Sequence, residues 1–170
     1  MFTLIHAFAN YFLAIPFRKR IDVIALFVAS MLPDVEGLYY TIPAYAACGG
    51  DAACAAAYPS HYFVHSLFGA FLIIAPATLA ILAILKKYGI MKKINYKIVY
   101  LSALAGGLLH IVADVTYHTG ADSLYLLWPS QQQYSFAFGG SDILWSALAG
   151  LGLFAFVLLE RKSIKSLLPR

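Results

Sequence analysis

Apolar residues run along this chain in long stretches broken by short polar ones, unlike the two-sided patterns of a water-soluble fold. Phe63 to Leu85 carries no acid or base, and at about 1.5 Å of rise per residue it covers a hydrocarbon core of about 30 Å with slack for tilt. Ile98 to Tyr117 is interrupted by His110 and Asp114, and Ile143 to Leu159 is uncharged; both are long enough when flanking groups snorkel. Met1 to Phe17 is uncharged, and its basic residues, Arg18, Lys19 and Arg20, follow it. A secretory signal carries them in front, so this stretch reads as a retained helix. Ile21 to Leu32 is shorter and ends at Pro33. It is expected to reach part of the way across or to pair with the first helix as a hairpin. The expected fold is all-α, a polytopic transmembrane bundle of about five helices.

Composition agrees with that reading. The 170 residues are 62% hydrophobic and 12% charged, with a mean hydropathy of +0.77, whereas soluble domains are about 45–50% apolar and roughly 25% charged. So little charge excludes both a disordered chain and an ordinary soluble domain, and lipid must solvate much of the surface. The length suits a single domain over residues 1–170. No internal repeat, hydrophilic tail or second domain is evident.

The net charge of +4 raises the question of nucleic acid, and its distribution answers it. The basic residues form three tight groups: Arg18, Lys19, Arg20; Lys86, Lys87, Lys92, Lys93, Lys97; and Arg161, Lys162, Lys165, Arg170. Each abuts an apolar run, as on cytoplasmic loops of membrane proteins, and none spreads along a face as a nucleic-acid binder requires. With five spans all three groups fall on one side. The long connections Pro33 to Ser60 and His118 to Asp142 hold no Lys or Arg. The expected location is an inner or plasma membrane, with the N-terminus outside and the C-terminus cytoplasmic. The outer connections hold Cys48 and Cys54, which form either a disulfide on an oxidising face or two thiols, and an aromatic stretch from Tyr125 to Phe138 suited to lipid headgroups.

The remaining titratable residues gather at one depth. His61 and His65 lie one helical turn apart at the outer start of the third span, and His110, Asp114 and His118 form a stripe toward the outer end of the fourth. Asp34 and Glu36 follow the short second helix, and His6 lies near the outer start of the first. Counted from the basic groups at 1.5 Å per residue, His6, Asp34, His110 and Asp114 all stand about 18 to 26 Å up. His65, at roughly 32 Å, joins them only if its helix tilts or bends, for which Pro76 offers a place. A lone histidine in a membrane is readily explained by a hydrogen bond to a neighbouring helix, and Asp34 alone by a turn cap. Imidazoles and carboxylates delivered to one level by four segments are not. Ionisable groups in a membrane core are functional candidates by default. Neutral imidazole with carboxylate suits Zn²⁺, with Mn²⁺, Fe²⁺ or Ni²⁺ as alternatives. Asp22 and Asp142 read as helix N-caps, and Asp122 as a loop acid.

Several short motifs occur in order: Thr3-Leu4-Ile5-His6, Leu32-Pro33-Asp34, His61-x-x-x-His65-Ser66-Leu67, Gly107-Leu108-Leu109-His110-x-x-x-Asp114-x-Thr116, Gly120, and Leu126-Leu127-Trp128-Pro129. On these the chain resembles the YdjM-like inner-membrane proteins, described as membrane-bound, predicted metal-dependent hydrolases. It departs from them at Tyr62, where Arg is usual, at Val64, where Thr is usual, and at Glu36-Gly37, where Asp-His is typical. The family is distantly similar to the helical zinc-dependent phospholipase C group. That similarity implies phosphoester hydrolysis, with His110 and Asp114 as metal ligands and Asp34 and His61 or His65 completing the site. It also implies a second ion held through His6 and a bridging Asp114.

The resulting expectation is a membrane-embedded hydrolase carrying one or two ions, acting on a phospholipid or other phosphoester at the extracytoplasmic side. Its metal ligands are His6, Asp34, His61, His65, His110 and Asp114. Glu36, or whichever of His61 and His65 is not coordinated, moves the proton. Ser66, Thr116 and His118 orient the ligands. The rival reading is a small ion- or proton-linked transporter with a relay through His110, Asp114 and His65, which requires titratable groups continuing toward the cytoplasm. A non-catalytic scaffold packed on Ala103, Gly106 and Gly107 ranks third.

Overall fold

The computed structural model describes residues 3–55, 57–91, 94–119, 123–136, 138 and 141–167, with side chains from 4 to 160. Gly120, Asp122, Lys92, Lys93 and Arg170, all used above, lie outside these residues. The chain is helical as expected: α1 (Thr3–Ala14) with a 3-10 tail Ile15–Arg20, α2 (Val23–Met31), α3 (Pro33–Ala47), α4 (Ala52–Ala55), α5 (Leu67–Lys87), α6 (Tyr96–Tyr117) and α7 (Ser141–Leu167). Among the described residues the extended pairing is one isolated bridge, Leu124 with Tyr134.

Four helices are long and apolar enough to cross a membrane: Val23–Ala47, Leu67–Lys87, Tyr96–Tyr117 and Ser141–Glu160. This count is close to the expected five. The difference lies at the ends of the second stretch and in the shortness of α1. α2 does end just before Pro33, but the apolar helical run is not ended by the proline. It occupies the first turn of α3, where its missing N–H has no partner to lose, so α2 and α3 abut at Leu32 and the apolar run continues to Ala47. Asp22 caps α2 by accepting from the Ala25 N–H at 2.9 Å. Asp142 sits in the first turn of α7, after Ser141.

Pro76 is accommodated about two and a half turns below the start of α5. A π-helical turn over Ala70–Ile74 precedes it, and the Ala75 N–H reaches back to the Ala70 carbonyl. The wider turn absorbs the ring that an unbroken α-helix would force against the preceding turn. His61 and His65 are not on this helix. It begins only at Leu67, capped by the Ser66 hydroxyl, which accepts from the Gly69 N–H at 3.0 Å.

The core is built from small residues, so backbones approach closely. Ala25 and Ala29 of α2, Ala70 and Ile74 of α5, and Val99 and Ala103 of α6 form its centre. A Cβ on Gly106 would lie 2.6 Å from the Leu26 carbonyl oxygen, so α6 crosses α2 against bare backbone. α1 packs on α2 and α7 through Ala9, Tyr11 and Ala14. Large apolar side chains face outward instead: Ile143 is 72% exposed and Phe154 65%. That inverted distribution is what a lipid-solvated bundle requires.

The described basic residues meet at one end. Arg18 pairs with Glu160 at 2.9 Å, the Asp22 N–H donates to the Ser102 hydroxyl at 2.8 Å, and the Lys86 ammonium lies over the Tyr96 ring.

Candidate metal centre

At the opposite end, His6 from α1, Asp34 from the first turn of α3, His65 from the segment before α5, and His110 and Asp114 from α6 converge on one buried point. Asp114 is at its middle. Its Oδ2 lies 2.8 Å from His110 Nε2, 3.5 Å from His65 Nε2 and 4.0 Å from His61 Nε2. Its Oδ1 lies 3.2 Å from His6 Nε2 and 3.5 Å from His118 Nε2. Asp34 Oδ1 is 3.7 Å from His110 Nε2. The rings crowd together: His6 stacks on His110 with centroids 4.0 Å apart, and His61 meets His65 at 4.3 Å and His118 at 4.2 Å.

The outward-facing nitrogens show which atoms are left for the centre. His110 Nδ1 lies 2.8 Å from the Ser30 carbonyl, which can only accept, so Nδ1 carries a proton and in the neutral ring Nε2 presents its lone pair. That carbonyl is available because it belongs to the last turn of α2, whose oxygens lack partners where the helix stops at Leu32. His65 Nδ1 lies 3.0 Å from Glu36 Oε2, which likewise turns the His65 Nε2 lone pair toward Asp114. With that ring neutral, Nε2 of His110 and Oδ2 of Asp114 are two acceptors 2.8 Å apart, which a proton or a cation between them would reconcile.

One proton would serve one such pair. Here His6 Nε2, His65 Nε2, His110 Nε2, Asp34 Oδ2 and both Asp114 oxygens are all buried without a hydrogen-bond partner. Buried polar atoms left unpaired are rare and each needs an account, and several pointing at one place have a common one. His6, Asp34, His110 and Asp114 form one group that could hold a metal ion, and His61, His65 and Asp114 another; within each, the donor atoms lie within 4.8 Å of one another. Imidazole nitrogen and carboxylate oxygen are the right donors for a divalent transition ion.

Glu36 lies beside the donor set and is held by hydrogen bonds. Its carboxylate accepts from the backbone N–H groups of Tyr62 at 3.0 Å and Val64 at 3.0 Å, from that of His65 at 3.3 Å, and from His65 Nδ1. It straps the segment carrying His61 and His65, which brings both rings to the cluster without a helix. This also answers the depth problem, since His65 does not ride on α5. Ser66 is occupied as the helix cap and donates to the Phe63 carbonyl. Thr116 donates to the Ala113 carbonyl and accepts from Trp145 Nε1 at 2.9 Å, tying α6 to α7. His118 joins the cluster itself.

Two residues that the sequence reading passed over support the site from below. Asn10, one turn after His6, donates to the Ser30 hydroxyl at 3.0 Å and to the Gly106 carbonyl at 3.3 Å, linking α1, α2 and α6 beneath the imidazoles. The signal was an amide on the His6 face of an otherwise apolar helix. Above the site, Tyr62 stacks on Tyr125 and Phe63 meets Trp128, while the Leu67 N–H donates to the Leu126 carbonyl. The aromatic stretch is thereby fastened over the cluster. Burial, then the neighbouring Tyr125 and Tyr40 and the Glu36 carboxylate, push the Tyr62 phenol above its ordinary range, so it remains a neutral donor at the rim. The two cysteines, Cys48 and Cys54, are joined in a disulfide beyond the end of α3.

A sequence model of the family described as YdjM inner membrane protein matches residues 1–168. No curated protein and no solved structure matches the chain. The chain belongs to the YdjM inner membrane protein family and is an integral protein of the inner membrane.

Proposed function

We propose that this YdjM-family protein is a membrane-embedded, metal-dependent hydrolase of lipid phosphoesters, formed by one domain over the whole chain, with its site on the extracytoplasmic side. The observation that carries the reading is the set of buried, unpartnered donor atoms of His6, Asp34, His65, His110 and Asp114 aimed at one point. Zn²⁺ is the ion this donor set suits best, with Mn²⁺ or Fe²⁺ next, and the sharing of Asp114 by two donor groups accommodates one ion or two. When bound, such an ion supplies Lewis-acid activation of water and of a phosphoryl oxygen.

The protein's own residues do the rest. Ser30 and Glu36 fix the His110 and His65 tautomers, and Asp114 holds the two donor groups in register. We assign Glu36 to positioning His65 rather than to carrying a proton, because its oxygens already accept from four N–H groups. His118, 12% exposed against 7% for His61 and 0% for His65 and His110, is the most exposed imidazole of the cluster and the one assigned to release the proton. The likeness to helical zinc-dependent phospholipases supports a phosphoester as the bond cleaved, and placement among apolar helices supports a lipid as its carrier. The transporter reading needs titratable groups continuing below His110. Among the described residues the buried polar side chains there are Asn10, Ser30, Thr78 and Ser102, an amide and three hydroxyls, with the Tyr11 phenol donating to Glu160 at the basic end.

Metal content by mass spectrometry on detergent-purified protein tests the proposal. Wild type is expected to hold a divalent transition ion that His110→Ala and Asp114→Ala lose. Equally little metal in all three would end the reading. Turnover of a panel of phospholipids and simple phosphoesters with added Zn²⁺ or Mn²⁺ then identifies the bond.

A further inference from the structure

Two apolar grooves flank the junction of α2 and α3. The first, about 270 Å³, is lined by Val28, Met31, Leu32, Asp34, Val35 and Leu38. The second, about 390 Å³, lies between α3 and α5 and includes Leu32, Val35, Glu36, Val64 and Ile74. Leu32 and Val35 line both, so they stand between the two, and Val35 is 61% exposed. Each groove also takes one wall from a carboxylate of the site: Asp34, 3.7 Å from His110 Nε2, in the first, and Glu36, 3.0 Å from His65 Nδ1, in the second. Acids lining apolar channels beside membrane helices are uncommon, because an unengaged one costs a few kcal/mol or more. Both here turn toward the cluster.

A groove of this kind within a bilayer is filled by an acyl chain, and two that meet at one polar point match a molecule whose two chains meet at one polar headgroup. We infer that the substrate is a two-chain lipid that straddles Leu32 and Val35, one chain in each groove, with its phosphoester at the cluster between Asp34 and Glu36. The placement of the phosphoester rests on the hydrolase reading; occupancy of the grooves by two chains does not.

The test uses the full chain in micelles of a single-chain maltoside detergent carrying a diacyl phospholipid with a photoactivatable diazirine on one chain, with crosslinks mapped by peptide mass spectrometry. Labelling is expected on both grooves, at Met31 or Leu38 and at Ile73 or Ile74, and to be suppressed by unlabelled diacyl lipid about tenfold more effectively than by its single-chain lysolipid. Val35→Trp, which fills the space on both sides, should reduce labelling of both grooves while leaving metal content at the wild-type level; Phe154→Trp on the far lipid face should change neither. Labelling spread evenly onto the outward face of α7, or equal competition by the lysolipid, would overturn the inference. Loss of hydrolytic activity or of metal in the unaltered protein would instead count against the hydrolase reading, since labelling is read without either.

Discussion

Glu36 shows how a single side chain can set the geometry of a centre it does not enter. Four N–H groups of the segment from Tyr62 to His65 converge on its oxygens. A neutral amide has one acceptor oxygen and no charge to offer them. Glu36→Gln is therefore expected to leave the protein folded but weaken metal binding by about 10- to 100-fold, as outer partners of metal-ligating histidines do. Competition with a chromophoric chelator measures this, and an unchanged affinity would remove Glu36 from the support of the site. The same residue marks where sequence reading ran out. His110 and Asp114 were legible because one turn of helix fixes them on one face. His61 and His65 have the same spacing, yet their helix starts later and they meet only because a carboxylate from α3 gathers their backbone. Spacing records local geometry, whereas a strap of this kind depends on a contact from a distant segment.

At the scale of elements, closeness of packing decides which substitutions matter. Gly106→Ala sets a methyl group 2.6 Å from the Leu26 carbonyl oxygen, part of a helix that cannot yield without moving α2. A loss of about 1–3 kcal/mol is expected. Gly37→Ala meets nothing within 4 Å inside α3 and should instead stabilise by about 0.5–1 kcal/mol through helix propensity. Thermal unfolding in a common detergent compares the two, and a Gly106→Ala protein as stable as wild type would contradict the crossing described. The helices themselves were largely readable from apolar run length. Their ends were less so, because a proline can start a helix from its first turn or be absorbed inside one, as Pro43 is in α3 and Pro76 in α5. Pro33 does the first, and its local sequence alone does not distinguish the cases.

Taken whole, the molecule is polarised, with its described basic groups at one end and its imidazoles at the other. By the positive-inside rule we propose that the imidazoles face outside. A reporter fused after Arg170 is expected to read as cytoplasmic, and an extracytoplasmic signal would reverse the assignment. Bound metal should also act as a ligand that stabilises the folded state, by about 2.7 kcal/mol when free ion exceeds Kd a hundredfold. Chelation should lower the unfolding temperature of wild type and restoration of the ion should raise it, while Asp114→Ala should respond to neither. A chelator-insensitive wild type would count against a resident ion. The donors identified come from α1, α3, α6 and the segments following α4 and α6, and α7 supplies none of them. During synthesis the whole chelating set has therefore been translated by His118, before the last helix leaves the ribosome. That helix arrives as a late cover over α1, so a chain interrupted before Ser141 would already contain every donor but not the wall packed against Ile5, Phe8 and Ala9 beside His6.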